Sequence, residues 1–202
     1  MTTSHEAATR DAPRERILET AYDLFAQHGV GSVGINEVIT RSGVAKATLY
    51  RHFPAKTDLV LAFLAEREQR WTHDFIEAEA LRRGDTPTEQ LLAIFDVFDE
   101  WFHRTDFEGC SFINVLLEMH GHGSEHPLGQ ASAQYLDNIR VIVRDLADRA
   151  GLTAPQDFAH SWHILMKGSI VAAAEGDTIA ARRARTMAHS LIDEHRAPAV
   201  MS

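Results

Sequence analysis

Lys46, Thr48, Tyr50, Arg51 and His52 crowd into one short stretch, with Arg41 just before it and Lys56 just after. From Arg41 to Lys56 the chain holds four Lys or Arg and no Asp or Glu, although its formal net charge is −9. An ammonium, a hydroxyl, a phenol and a guanidinium beside the small Ala45 and Ala47 suit phosphate oxygens and base edges in a DNA major groove. No Ser/His/Asp order and no glycine-rich phosphate loop points to catalysis, so an enzyme is not expected.

These groups need rigid elements to present them. Ile35, Val38 and Ile39 repeat at i, i+3, i+4 and predict a helix from Ile35 to Arg41. Gly43 stands where the chain must leave that helix through a left-handed conformation. Val44 fills the corner. A second helix starts near Ala45 and carries Leu49 and Phe53 inward, four apart. Pro54 stops it, because the residue before a proline is pushed out of the helical region. The pair reads as a helix-turn-helix. An amphipathic helix from Arg14 to His28, with Ile17, Leu18, Ala21, Leu24 and Phe25 on one face, is expected to brace it, and Gly29 ends that helix. A long helix from Ala55 to Leu81 should follow, its positive end and Lys56 offered to a phosphate.

Residues 14–60 resemble the DNA-binding domain of TetR-family transcriptional regulators. The resemblance is carried by Ile17, Ala21, Phe25, Gly29, Val38, Gly43, Val44, the Thr48-Leu49-Tyr50 and His52-Phe53 pairs of segments, Lys56 and Leu59. The run Gly-Val-x-Lys-x-Thr-Leu-Tyr-x-His-Phe-x-x-Lys is highly specific to that family. Three helix starts depart from it. Gly34 and Ala45 replace hydroxyl caps, as does Ala55, and Ile39 replaces a small alanine. On this resemblance Arg41, Lys46, Ala47, Thr48, Tyr50, Arg51, His52 and Lys56 would meet double-stranded DNA. No cofactor and no metal is implied.

The rest of the chain is bounded more loosely. With 202 residues, 45% hydrophobic and 24% charged, it suits one or two globular domains. No apolar run reaches membrane-spanning length, and the polar start has no signal-like segment, so a cytoplasmic protein with no membrane partner is expected. The single Cys110 excludes an internal disulfide framework. Residues 1–60 carry seven Lys or Arg against seven Asp or Glu, while the remainder carries thirteen against twenty-two. That acidic body should be kept off DNA by repulsion.

The fold expected is all-α, about nine helices. A flexible tail (1–13) precedes a three-helix helix-turn-helix domain (14–60) and a helical ligand-binding and dimerisation domain (61–196). Thr86 to Glu89 forms a capping box with proline at the first helical position, and Thr153 to Gln156 resembles a second. Further helices are expected at Gly109 to His120, Leu128 to Ala150, Asp157 to Ala174 and Thr178 to His195, with Glu175-Gly176-Asp177 as a hinge. Gly109, Cys110 and Asn114 resemble a segment of TetR-like bodies.

One helix-turn-helix reads too few base pairs for a genome, so a homodimer on a palindromic operator is expected. Gly168, Ala172 and Gly176, four apart, permit close helix approach. With Trp162, Met187 and Leu191, and with Phe158, Leu165 and Ile170, they mark the last two helices as the interface. The resemblance implies an unknown small-molecule effector in the body, and hence a repressor released from its operator. Phe98, Trp101, Phe102, Phe112, Asn114, Tyr135, Trp162, His163 and Met166 are the candidate lining, although aromatics at helical spacing are more often plain core. A metal sensor would draw on His120, His122 and His126 beside Glu118 and Glu125, but a glycine-rich loop is not a fixed ligand set. Cys110 would sense thiol chemistry only with a lowered pKa.

Overall fold

Apolar periodicity near 3.6 runs through almost every segment, and the computed structural model is accordingly all-α. It describes residues 3–121 and 125–196. The helices are α1 (Thr3–His28), α2 (Ile35–Ser42), α3 (Lys46–His52), α4 (Lys56–Arg67), α5 (Ala78–Arg83), α6 (Pro87–Phe102), α7 (Ser111–Met119), α8 (Pro127–Arg149), α9 (Pro155–Ala174) and α10 (Ala180–Glu194). A wider, π-helical stretch, Glu68–Glu77, joins α4 to α5 without a break. Counting that run as one helix, the described residues contain nine. The only β pairing among them is an isolated bridge between Leu152 and Arg196.

The chain divides into two compact units: residues 1–67 with 111–133, and residues 68–110 with 134–202. In this division α7 belongs with the first unit. In that unit α1, α2, α3 and α4 bury Ile17, Leu24, Phe25, Val38, Leu49, Leu59 and Phe63. Phe63 meets the rings of Tyr22 and Phe25 edge-on, each at 5.5 Å, a favoured aromatic geometry. In the second unit α6 is the central element. Its Phe95, Phe98 and Trp101 are buried together with Phe158 and Trp162 of α9. The alanines Ala181, Ala184 and Ala188 of α10 are buried at helical spacing, and small side chains let helices approach closely. Arg182 reaches Asp99 at 3.4 Å and Arg185 reaches Asp96 at 2.9 Å, so charge pairs tie α10 to α6.

Local signals account for most helix ends. Thr86 caps α6 with both halves of the box formed: its hydroxyl accepts the Glu89 N–H at 3.3 Å and the Glu89 carboxylate accepts the Thr86 N–H at 2.9 Å. Gly29 lies at φ 77° and Gly43 at φ 65°, left-handed values that L-residues avoid.

Two expectations change. Helix α1 begins at Thr3, where a tail to residue 13 was expected. Ala7, Ala8 and Ala12 are strong helix formers, no glycine interrupts the stretch, and the helix runs on across Pro13. Thr153 is not a cap. Pro155 takes the first helical position, which makes Ala154 the N-cap and leaves Thr153 one residue too early. Its N–H and hydroxyl instead donate to the His195 carbonyl at 2.7 and 3.0 Å.

Candidate nucleic-acid interface

The exposed face of α3 is set by one short turn. Gly43 donates its N–H to Ile39 O at 3.2 Å and reverses the chain. Val44, 8% exposed, plugs the corner, and Leu49, fully buried, pins α3 onto the unit's core. The caps are made by backbone alone. Gly34 and Ala45 are extended, with ψ 149° and 143°, and neither has a side-chain cap bond. At the head of α4, however, Asp58 replaces the missing hydroxyl: its carboxylate accepts the Ala55 N–H at 2.8 Å. Phe53, 3% exposed, closes α3 from beneath. The Arg14 guanidinium lies over its ring at 5.3 Å, a cation–π contact that fastens α1 to α3.

With Leu49 inward, Lys46, Ala47, Tyr50 and Arg51 stand exposed on the opposite side. The Lys46 ammonium lies 5.9 Å from the Tyr50 ring centre, one turn apart on the same face. Arg51 has no carboxylate partner among the described residues. Thr48 and His52 are half-buried at the margin. Arg41 bonds Glu37 at 3.0 Å, but the pair is exposed. Such pairs contribute at most about 1 kcal/mol and yield readily to a phosphate.

Lys56 departs from expectation. Its ammonium donates to Val30 O at 2.6 Å and lies 6.0 Å from the Phe25 ring centre. Burial lowers its pKa, and the Glu118 carboxylate partly offsets this. Glu118 of α7 lies against the loop at residues 29–31: a Cβ added to Gly31 would sit 3.3 Å from its Oε2. So the side chain expected on a phosphate anchors the α1–α2 loop. Lys56→Met should lower stability by about 1 kcal/mol, because it strands the Val30 carbonyl. It should leave the salt dependence of DNA binding unchanged. A log–log salt slope reduced by about one would return the ammonium to a phosphate.

The residues expected around an effector are distributed over both units. Phe112 and Asn114 belong to the first unit; Phe98, Trp101, Phe102, Tyr135, Trp162, His163 and Met166 belong to the second. There Trp101 packs against Trp71, its ring inclined at 57° with centres 4.4 Å apart, and meets Phe107 at 5.0 Å. Trp162 was expected in both the ligand wall and the interface. It is fully buried between Phe95 and Phe158, each 5.2 Å away. Phe158 and Ile170 also turn inward. The outer face of α9 and α10 is instead Ile164, Gly168, Val171, Ala172 and Met187, with Ile164 69%, Val171 49% and Met187 56% exposed. Leu191 borders a shallow groove there with Ser161, Leu165, Ser190 and Glu194. Ile164 and Val171 were missed, although their spacing to Gly168 was the available signal. His122 lies outside the described residues, and among those described no group of three or more His, Cys, Asp or Glu is set to hold a metal. None of the described helices is long and apolar enough to cross a membrane.

Residues 17–63 match the profile of bacterial regulatory proteins, tetR family. The HTH-type transcriptional regulator SrpR of Pseudomonas putida is 30% identical over 156 residues, 77% of this chain and 70% of that protein. The HTH-type transcriptional activator FasR of Mycolicibacterium smegmatis is 31% identical over 106 residues, 52% of this chain and 46% of FasR. The match thus spans less than half of the latter's length. A TetR-family transcriptional regulator from Streptomyces coelicolor has a solved structure that superposes with a TM-score of 0.81 at 25% identity, covering 91% of this chain and 95% of that one.

Proposed function

Because the chain belongs to the TetR family of bacterial transcriptional regulators, which bind DNA and are not enzymes, we propose that it acts as a homodimeric repressor that leaves a palindromic operator when a small molecule binds its body. The observation that carries this reading is the α3 face. Lys46, Ala47, Tyr50 and Arg51 stand exposed on a helix locked by Leu49, with no acid on it. In the reading, α3 enters the major groove, Tyr50 and Arg51 meet base edges, and Lys46, Thr48, His52 and Arg41 meet the backbone.

The dimer is supported by the apolar outer face of α9 and α10. Exposed Ile164, Val171 and Met187 flank Gly168, where an added Cβ would meet nothing within 4 Å. Two helices from each subunit would form a four-helix bundle. Twofold symmetry then presents two α3 helices to half-sites about one helical turn apart. The effector's place is the second unit, and its action requires different affinities for the two DNA-reading arrangements.

Selection of bound duplexes from a random DNA library tests the reading. A recovered palindrome is the expected result, and absence of any enriched sequence at low salt would overturn it. On the recovered operator, Arg51→Ala or Tyr50→Ala should cost about 1–3 kcal/mol of discrimination, roughly 5- to 150-fold. Binding to random DNA should change much less. Equal losses on both would remove these residues from base reading.

A further inference from the structure

Cations gather in the acidic body at one place. On α9, His160, His163 and Lys167 follow at steps of three and four, which puts them on one helix face. On α8, Arg140 stands one turn from Asp137, and its terminal nitrogen donates to that carboxylate at 2.6 Å. These groups feel one another. Burial first, then Lys167, Arg140 and His160, hold the His163 imidazole down at about 3, against the weaker pull of Asp137. The ring is therefore neutral at pH 7 and can donate from one nitrogen.

The cluster is poorly satisfied by the protein itself. His163 is 3% exposed, and its Nδ1 has no hydrogen-bond partner. The buried Nε of Arg140 has none either. Lys167 pairs with no carboxylate among the described residues. Its pKa is lowered, chiefly by burial and then by Arg140, with Cys110 acting weakly the other way. Two basic side chains and a neutral imidazole thus have one carboxylate, Asp137, among them, and it is already bonded to Arg140. Buried donors without acceptors are rare in folded proteins, and an oxyanion supplies the missing acceptors and the missing charge.

We infer that Arg140, His163 and Lys167 form a binding site for a small organic anion, whose carboxylate or phosphate oxygens take the two cations and the His163 nitrogen. The inference rests on the reading above that the body holds an effector, and it names that effector's chemical class. The apolar remainder of the ligand is met by Met166, buried on the same helix.

Titration of the full-length protein, followed by calorimetry and by intrinsic tryptophan fluorescence, tests it. The probes are octanoate, benzoate, inorganic phosphate and glycerol 3-phosphate, with octanol as the neutral control. At least one acid should saturate the protein below about 10 mM. Lys167→Met and Arg140→Gln should weaken it by about tenfold or more, as expected for losing a charge-assisted bond, with octanol unaffected. A carboxylate-only or phosphate-only response assigns the source. Saturation by none of the acids, or equal binding by wild type and both variants, overturns the site. Cooperative melting near the wild-type temperature shows the variants folded. Operator release is read separately. An acid that binds here without changing operator occupancy keeps the site and removes the effector role. Release by a ligand that both variants still bind keeps the effector reading and removes this site.

Discussion

Ile164→Asp combined with Met187→Asp should yield a folded monomer whose operator affinity falls by about 10²- to 10⁴-fold, the advantage that two linked half-site contacts confer. Both side chains are more than half exposed in the single chain. Their replacement costs the subunit's own core little, within about 0.5 kcal/mol for an ordinary surface position. In a twofold dimer each substitution acts twice, because the same patch lies on both sides. Four carboxylates would then be buried in an apolar seam, where unpaired charge is strongly unfavourable. One helix-turn-helix alone lacks the affinity and selectivity that a genome demands. Sedimentation of the purified variant and titration of the operator duplex read the two effects. A variant that sediments with the wild-type dimer would move the interface off this face. A monomer with unchanged operator affinity would sever reading from dimerisation.

The opposite side of the same helix predicts the opposite phenotype. Trp162→Ala should destabilise the protein by about 3–5 kcal/mol, the range for removing a buried aromatic and leaving a cavity. Trp162 has no exposed surface and packs on Phe95 and Phe158, which join α6 to α9. Typical native stability is only about 5–15 kcal/mol, so the loss is a large share of it. For a chain of this size the melting temperature should fall by roughly 10 °C. Trp162→Phe should recover part of it, since a ring refills part of the space. The comparison is made at one protein concentration, because assembly shifts apparent stability. A loss below about 1 kcal/mol accompanied by dissociation would place Trp162 at the interface after all.

These two results turn on one difficulty of α9. Phe158, Trp162, Leu165, Met166 and Ile170 are apolar, and so are Ile164 and Val171. A helix with two apolar faces gives periodicity no means of assigning one to its own core and the other to a partner. The exposed positions differ from the buried ones only in which neighbours reach them. The same holds for the candidate effector lining, where aromatic spacing was legible but the division of Phe112 and Asn114 from the rest was not.

Where a rule is local, sequence alone determined the outcome. Gly43 had to be glycine-like because its φ is positive; Pro54 had to end α3; Thr86 and Glu89 had to cap α6 at their fixed separation. These effects span at most four residues, and no distant contact can rearrange them cheaply. That is why the exposed face of α3, with Lys46, Tyr50 and Arg51 outward, was legible in advance. Tertiary structure alone decided the fate of long or ambiguous side chains. Lys56 has a reach that serves a phosphate or the Val30 carbonyl equally well, and the Gly-rich loop beneath it with Glu118 nearby chose the carbonyl. His163, Arg140 and Lys167 are ordinary surface types, twenty-three or more positions apart between α8 and α9. Only the tertiary structure brings them within electrostatic reach of one another, because the free energy of a charge depends on what surrounds it and not on its place in the chain.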